Sequence, residues 1–178
     1  SAPGRNVLIV GVESPSRPGD MARVVERLRL GRHGASVSIT PMADRRKFAK
    51  VDVTIAAATA PLESFDWLIV ADDDIAFEPG FLDDFIAASE AAGLSIAQPA
   101  HRFDSYANFG LTHRRWGALV RETRFVEIGP LTAFRRDTFA ELIPFPQSRW
   151  CYGIDVYWAA VAQRKGWRMG VVDATPIR

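Results

Sequence analysis

The chain has 178 residues, a net charge of +1 and 48% hydrophobic residues, which is the size and composition of one folded domain. The nearly neutral charge gives no reason to expect nucleic acid or an anionic membrane surface as a partner. A single cysteine, Cys151, excludes an internal disulfide framework, and no apolar run approaches the length of a transmembrane segment. Because the first residues lack a signal-peptide core, we expect a cytoplasmic protein.

The first part of the chain predicts a strand, a helix and a second strand. The apolar run 6–12 predicts a buried strand, and Asp20 is a suitable N-cap for the helix that follows. The apolar face of this helix consists of Met21, Val24, Val25 and Leu28. A second strand is predicted over 37–40, where Pro41 ends it. This order predicts a right-handed βαβ unit and a parallel sheet.

The segment 44–50, DRRKFAK, is the most basic part of the chain. A solvated helix face is the ordinary interpretation of such a segment, and contact with a phosphate or a nucleotide is the functional one. The Ala-rich stretch 51–60 favours a helix over a strand. The segment therefore precedes, or begins, a helix between the second and third strands.

Three adjacent carboxylates follow the most apolar strand of the chain. Residues 67–71 carry no polar side chain and predict a strand buried on both faces. Asp72, Asp73 and Asp74 come next and repel one another, so a divalent cation is a suitable partner. Open α/β sheets bind their ligands at the carboxyl ends of such strands, although a surface acidic turn is the alternative.

The remaining elements are predicted from shorter patterns. A long functional loop is expected over 99–117, where no clear periodicity is present. A kink or two short strands are expected over 120–134, because Gly129-Pro130 interrupts a strand-like pattern. The other predicted elements are a helix over 81–92 ended by Gly93, a strand over 94–98, a short helix over 137–143, a helix over 155–165 and a strand over 168–173.

Asp155 is the candidate general base of the second half of the chain. A carboxylate in the first turn of a helix is stabilised in its ionised form by the helix dipole, and simple capping is the alternative role. Four aromatic residues surround it in sequence, and aromatic rings serve as sugar platforms as well as core residues. They are Trp150, Tyr152, Tyr157 and Trp158.

Two further groups of residues have weaker signals. The backbone at Gly129 and Pro130 can approach a ligand closely, and a plain turn is an equally good interpretation. His101 and His113 lie in the predicted loop without the spacing of a metal site.

With these residues in place, the chain resembles glycosyltransferases of the GT-A superfamily, above all family-2-like members and a related plant and bacterial group. Residues 67–74 are similar to the DxD motif of that superfamily, and 127–136 to the segment that follows its acceptor side. Residues 153–159 resemble its acidic motif at a helix start. Residues 171–178 resemble the segment that leads into a metal-binding histidine, a position that falls just past Arg178.

The resemblance implies a fold and a reaction. The fold is a single GT-A-like, Rossmann-like α/β domain with a mostly parallel central sheet flanked by helices. Residues 1–98 are the implied nucleotide-sugar-binding half, and residues 99–178 the acceptor-binding half. The implied reaction is metal-dependent transfer, with inversion, from a UDP- or GDP-sugar to a hydroxyl of a carbohydrate or another acceptor.

The resemblance also implies roles for individual residues. Asp155 would be the catalytic base, and Asp72 and Asp74 would bind Mn²⁺ or Mg²⁺. The implied nucleotide-sugar contacts are Val12, Glu13, Ser14, Arg46, Lys50, Asp72 and Asp73. The implied acceptor contacts are Gly129, Pro130, Trp150 and Tyr152.

Two alternatives to this function stay open at this point. One is a non-catalytic nucleotide- or sugar-binding module, a degenerate transferase. The other is a sugar nucleotidyltransferase, which is disfavoured because the loop ESPSRPGD after the first strand has one glycine and no lysine. In addition, the basic segment lacks the glycine that usually precedes the lysine in family-2 enzymes.

Overall fold

The computed structural model describes residues 3–42, 46–147 and 151–178. Its strands are β1 (Asn6–Glu13), β2 (Gly34–Pro41), β3 (Trp67–Asp72), β4 (Leu94–His101), β5 (Val120–Thr123), β6 (Leu131–Arg135) and β7 (Arg168–Ile177). Its helices are α1 (Asp20–Leu28), α2 (Lys47–Ala56), α3 (Phe81–Ala91), α4 (Phe139–Leu142) and α5 (Ile154–Lys165). The element order agrees with the sequence prediction.

The strands of the described residues form one mixed sheet in the order β2-β1-β3-β6-β4-β7-β5. Strands β1, β2 and β3 are parallel, and β4 and β7 are parallel to each other. Strand β6 is antiparallel to both β3 and β4, so these two strands run in the same direction. Five of the seven strands therefore share one direction, which confirms the predicted α/β fold with a mostly parallel sheet.

Strand β3 lies inside the sheet and is buried on both faces, as its apolar run predicts. Because side chains alternate along a strand, Trp67 and Ile69 pack on one face with helices α1 and α3. Leu68 and Val70 pack on the other face with α2 and α5. The helices therefore cover both faces, and β3 ends at Asp72, the first of the three carboxylates.

Two strands are longer than the sequence predicts. Strand β4 continues through Pro99 to His101, and β7 continues to Ile177. The two extensions pair with each other, His101 opposite Ile177, after an irregularity near Pro99. The predicted loop over 99–117 therefore begins only after His101, because pairing with a distant strand outweighs the local effect of the proline.

Helix boundaries also differ slightly from the prediction. Helix α1 has Gly19 as its N-cap, with φ of 90°, so Asp20 is the first helical residue rather than the cap. Helix α2 begins at Lys47, inside the basic segment, whose residues 44 and 45 lie outside the described part of the chain. The region 120–134 forms two strands, β5 and β6, as one of its two interpretations predicts.

Within the described ranges, no helix is long and apolar enough for a membrane crossing.

Candidate functional site

A cavity of about 760 Å³ opens at the carboxyl end of β3, and we call it the central cavity. Its lining includes residues from three of the predicted motifs, which together span more than 80 positions of sequence. They are Asp72, Asp74, Gly129, Pro130, Tyr152 and Asp155. The fold therefore brings the acidic strand end, the Gly-Pro segment and the start of α5 to one place.

The antiparallel pairing of β6 with β3 explains why the Gly-Pro segment reaches the carboxylates. Ala71 is opposite Leu131 in the register, and the backbone N–H of Asp72 donates to the carbonyl of Pro130 at 2.8 Å. A Cβ atom added to Gly129 would lie 2.9 Å from Asp72 Oδ2, closer than a Cβ atom can approach. Glycine at this position therefore lets the backbone lie against the carboxylate.

Lys47 is a residue of the central cavity that the sequence analysis did not single out. Its Nζ lies 2.6 Å from Asp72 Oδ1 and donates to the carbonyl of Ile128 at 3.2 Å. Lys47 precedes Val51 by four positions, on the side of α2 that is buried. This i, i+4 spacing places Lys47 on the same side of α2 as the buried Val51, whereas Lys50 lies on another side. The spacing is therefore the sequence pattern from which Lys47 could have been identified.

The electrostatic environment of Asp72 combines burial with opposing charges. Burial raises the pKa of Asp72, the Lys47 amine counteracts this, and the charges of Asp74 and Asp73 raise the pKa further. Asp72 therefore lies where a positive charge is favourable.

Asp73 has a different role from its two neighbours. Its side chain is 2% exposed and turns toward the loop after β1, where the Ser14 backbone N–H and an Arg17 nitrogen donate to its oxygens at 2.6 and 2.9 Å. Asp74 is 49% exposed, contacts the same arginine at 3.2 Å, and lines the central cavity. The three carboxylates are therefore divided between the cavity and the β1 loop.

Several predicted donor contacts are not in the described lining of the central cavity. Val12 is a buried β1 residue beside Asp72 in the register, and Glu13 accepts a hydrogen bond from the Gly19 backbone N–H at 2.8 Å. Ser14, Arg46, Lys50 and Asp73 are likewise outside that lining. Trp150, a predicted acceptor contact, lies outside the described residues. The roles assigned to these residues stay predictions.

Asp155 is positioned by the start of helix α5. Gly153 is the N-cap, with φ of 83°, and Asp155 is the acidic residue of the first turn. One of its oxygens, Oδ1, accepts a hydrogen bond from the backbone N–H of Val156 at 2.8 Å. The start of α5 therefore places the Asp155 carboxylate in the lining of the central cavity.

Other lining residues come from the loop after β4 and from the end of β7, where the sequence offered no periodicity. They include Tyr106, Asn108, Phe109 and Arg178. Arg178 is held beside the acidic strand end, because its backbone exchanges hydrogen bonds with Ala76 at 2.7 and 2.9 Å. These residues were missed because only long-range pairing brings them to the cavity.

Glu127 and His101 form the buried side of the central cavity. A Glu127 oxygen accepts hydrogen bonds from the Thr112 hydroxyl at 2.6 Å and from the Phe109 backbone N–H at 3.3 Å. Burial lowers the pKa of His101, against the attraction of the Glu127 charge, so its imidazole is favoured in the neutral form. These two residues support the loop after β4.

The donor chemistry of the central cavity fits a hard cation in part. Five carboxylates of the described lining face two basic side chains, those of Lys47 and Arg178; the five are Asp72, Asp74, Asp104, Glu127 and Asp155. Mg²⁺ typically takes one or two carboxylates and completes its shell with water and substrate phosphates. Asp72 and Asp74 meet that minimum, although the described residues contain no group of three metal-ligating side chains and Lys47 contacts Asp72.

No protein-family model matches the sequence, and no curated protein matches it either. Solved structures do resemble it, and these neighbours are GT-A-type glycosyltransferases. The catalytic domain of Drosophila beta1,4-galactosyltransferase 7, in complex with xylobiose, is 13% identical with a TM-score of 0.60, covering 94% of this chain and 65% of that one.

A second neighbour is S. aureus TarS (residues 1–349). Its complex with UDP-GlcNAc is 10% identical with a TM-score of 0.57, covering 97% of this chain and 57% of that one. Another crystal structure of TarS 1–349 has a TM-score of 0.52 at 10% identity, covering 97% of this chain and 59% of that one. This chain thus spans about three-fifths of the length of its structural neighbours, and its fold is the GT-A-like α/β fold that its sequence motifs predict.

Proposed function

We propose that this chain transfers a sugar from a nucleotide-diphosphate donor to a hydroxyl of a saccharide acceptor in the central cavity. The observation that supports this most is the convergence of Asp72, Asp74 and Asp155 on one cavity at the carboxyl end of β3. That position is where open α/β sheets bind ligands, and the fold is the one that glycosyltransferases use.

The structural neighbours support the two substrate classes. TarS is crystallised with UDP-GlcNAc and beta1,4-galactosyltransferase 7 with xylobiose. A nucleotide sugar as donor and a carbohydrate as acceptor fit a cavity of about 760 Å³ with both charged and aromatic lining residues. UDP- and GDP-sugars are both retained as candidate donors.

The mechanism assigns the proton transfer to Asp155. Its carboxylate accepts the proton of the acceptor hydroxyl while the oxygen attacks the anomeric carbon, and the bond from that carbon to the diphosphate breaks. The electron pair of the broken bond leaves with the diphosphate. A base on the side of the sugar opposite the leaving group gives inversion at the anomeric carbon.

Positive charge near the diphosphate has two sources in this proposal. Lys47 is held beside Asp72 and adds a fixed positive charge to the central cavity. A Mn²⁺ or Mg²⁺ ion bound by Asp72 and Asp74 would act as a Lewis acid that neutralises the charge on the leaving group. Because Lys47 contacts Asp72, a metal ion bound by Asp72 and Asp74 would either share the Asp72 carboxylate with Lys47 or displace the lysine from it.

A thermal-shift panel of UDP, GDP, CMP and dTDP, each with Mn²⁺ or with EDTA, tests the donor side. A nucleotide at a hundred times its Kd stabilises the native state by about 2.7 kcal/mol, which raises Tm by roughly 5–10 °C at this chain length. We expect one nucleotide to do so, and Lys47→Met to reduce the shift. Lys165→Met, in the last turn of α5 and outside the described lining, is the matched control.

The outcomes separate the parts of the proposal. A shift in Tm that requires Mn²⁺ supports the proposed role of a metal ion in donor binding. An equal shift in EDTA contradicts that role but does not contradict sugar transfer. The absence of a shift with every nucleotide, in both solutions, contradicts the donor class itself.

A further inference from the structure

The loop between β4 and β5, residues 102–119, carries a row of aromatic rings on its surface. The ring of Phe103 is nearly parallel to that of Trp116, at 19° and 6.4 Å between centroids, and to that of His113, at 9° and 6.4 Å. Phe103 and Trp116 are 62% and 77% exposed. Large apolar side chains that are exposed together on one loop are typical of a binding surface.

This loop is anchored by buried polar contacts. Arg121 donates to the carbonyls of Leu111 and His113 at 2.7 and 2.8 Å, and it pairs with the fully buried Asp173 at 2.8 Å. Asp173 also accepts a hydrogen bond from the Arg115 backbone N–H at 2.7 Å. Because the loop is held by contacts that do not involve Phe103 or Trp116, the rings are presented to solvent in a preorganised position.

The aromatic row is adjacent in sequence to the lining of the central cavity. The three residues after Phe103, which are Asp104, Ser105 and Tyr106, all line that cavity. Arg114 covers the Trp116 ring, with its guanidinium carbon 4.8 Å from the ring centroid. Phe103 therefore directly precedes a stretch of the cavity lining, which puts the row next to the cavity along the chain.

The chemistry of the row fits a chain of sugar rings. A pyranose has an apolar C–H face that stacks on an aromatic ring, and its hydroxyl groups can accept hydrogen bonds from a neighbouring guanidinium such as that of Arg114. The near-neutral net charge of the chain does not favour a nucleic acid as the stacking partner.

We propose that Phe103 and Trp116 form a subsite for an oligosaccharide acceptor, whose reactive end enters the central cavity. The inference rests on the proposed function, since the same cavity holds the donor. It extends that function by predicting that the acceptor is a chain of several sugars rather than a single one.

Intrinsic tryptophan fluorescence of the unaltered protein and of Trp116→Phe provides the test, because Trp116 is exposed whereas Trp67 and Trp158 are buried, and a signal lost in the variant comes from Trp116. The probes are xylose, glucose and N-acetylglucosamine oligosaccharides, each from the monosaccharide to the hexasaccharide. We expect one series to change the fluorescence, with an affinity that rises with length. Phe103→Ala should weaken the longest members about tenfold, the scale of one lost stacking contact, without changing the affinity for nucleotides.

Two further variants keep the test specific. Trp116→Phe keeps an aromatic face, so affinity measured by calorimetry should stay within about threefold of the unaltered value, while Trp116→Ala loses about tenfold. Leu30→Ala, an exposed apolar residue after α1, is the matched control and should change nothing. Equal affinities in Phe103→Ala, Trp116→Ala and the unaltered protein would overturn the subsite. So would a nucleotide that binds while no oligosaccharide does, an outcome that leaves the donor side of the proposed function intact.

Discussion

The backbone N–H of Ser14 donates a hydrogen bond to Asp73 Oδ2 at 2.6 Å, which joins the loop after β1 to the end of β3. Arg17 from the same loop donates to the other oxygen of Asp73 at 2.9 Å. The middle carboxylate of the acidic triplet therefore anchors the loop after β1, and its two neighbours line the central cavity.

Asp73→Ala should lower the free energy of unfolding by about 1–3 kcal/mol, because the partly buried Ser14 N–H and Arg17 both lose the buried carboxylate as their partner. Urea denaturation followed by circular dichroism measures this change. Asp74→Ala is the control, because that side chain is half exposed and its ion pair with Arg17 contributes at most about 1 kcal/mol. Equal losses in the two variants would contradict the structural role of Asp73.

Gly129→Ala should impair nucleotide binding. The new Cβ would lie 2.9 Å from Asp72 Oδ2 and 3.3 Å from Lys47 Nζ, so it would displace the ion pair from its position. We expect the affinity for the nucleotide that binds best to fall about tenfold in isothermal titration calorimetry. Gly110→Ala, where an added Cβ would contact nothing within 4 Å, should keep full affinity. An unaltered affinity in Gly129→Ala would show that Asp72 and Lys47 lie away from the nucleotide.

Arg121→Gln should be strongly destabilising, because it leaves the carboxylate of Asp173 buried without its cationic partner. The expected loss in the free energy of unfolding is about 3–5 kcal/mol. Arg168→Gln removes an exposed pair with Glu122 on the same pair of strands and should cost less than about 1 kcal/mol. Chemical denaturation of both variants measures the difference, and a loss below 1 kcal/mol for Arg121→Gln would contradict the anchoring of the loop.

The stability of the protein should fall as the pH falls below about 6.5, the ordinary pKa of histidine. Burial lowers the pKa of His33, against the charge of Asp83, and its Nδ1 accepts a hydrogen bond from the Arg5 backbone N–H at 3.0 Å. The unfolded chain therefore binds a proton at a higher pH than the native protein does. The stabilisation is fully present above the pKa of the histidine in the unfolded chain, and it is lost as the pH falls toward the lower pKa of His33 in the native protein.

Thermal melts of the unaltered protein and of His33→Gln, at steps of pH from neutral to mildly acidic, test this dependence. The variant should lose part of the decline of Tm with falling pH, and His101, whose pKa is also lowered by burial, accounts for a remaining part. A decline of the same steepness in both proteins would contradict the contribution of His33.

The sequence predicts those parts of the fold and site that depend on local patterns. The apolar run 67–71 predicts a strand buried on both faces, and the structure confirms it. The acidic triplet after it, the Gly-Pro segment and the start of α5 identify residues that the fold brings to one cavity. These patterns work because a short apolar run, a Gly-Pro pair and an acidic residue at a helix start can each be recognised within a few residues.

The remaining features depend on contacts between distant parts of the chain. Arg121 and Asp173 are 52 positions apart, and no local pattern pairs them or shows that they hold the aromatic loop. The three aspartates look equivalent in sequence, and only the approach of the β1 loop separates Asp73 from its neighbours. Lys47 was missed as well, although its spacing of four from Val51 is a local pattern that matches the buried side of α2.

The most direct test of the proposed transfer is the release of nucleoside diphosphate from UDP- and GDP-sugars in the presence of mixed oligosaccharide acceptors. Mass spectrometry identifies the glycosylated product. We expect release and product with the unaltered protein, and a rate lower by about 100-fold or more with Asp155→Asn, because the amide cannot accept the proton. Asp84→Asn, an exposed residue of α3, is the control and should keep the full rate. Nucleotide binding without any turnover, or an undiminished rate in Asp155→Asn, would contradict the account.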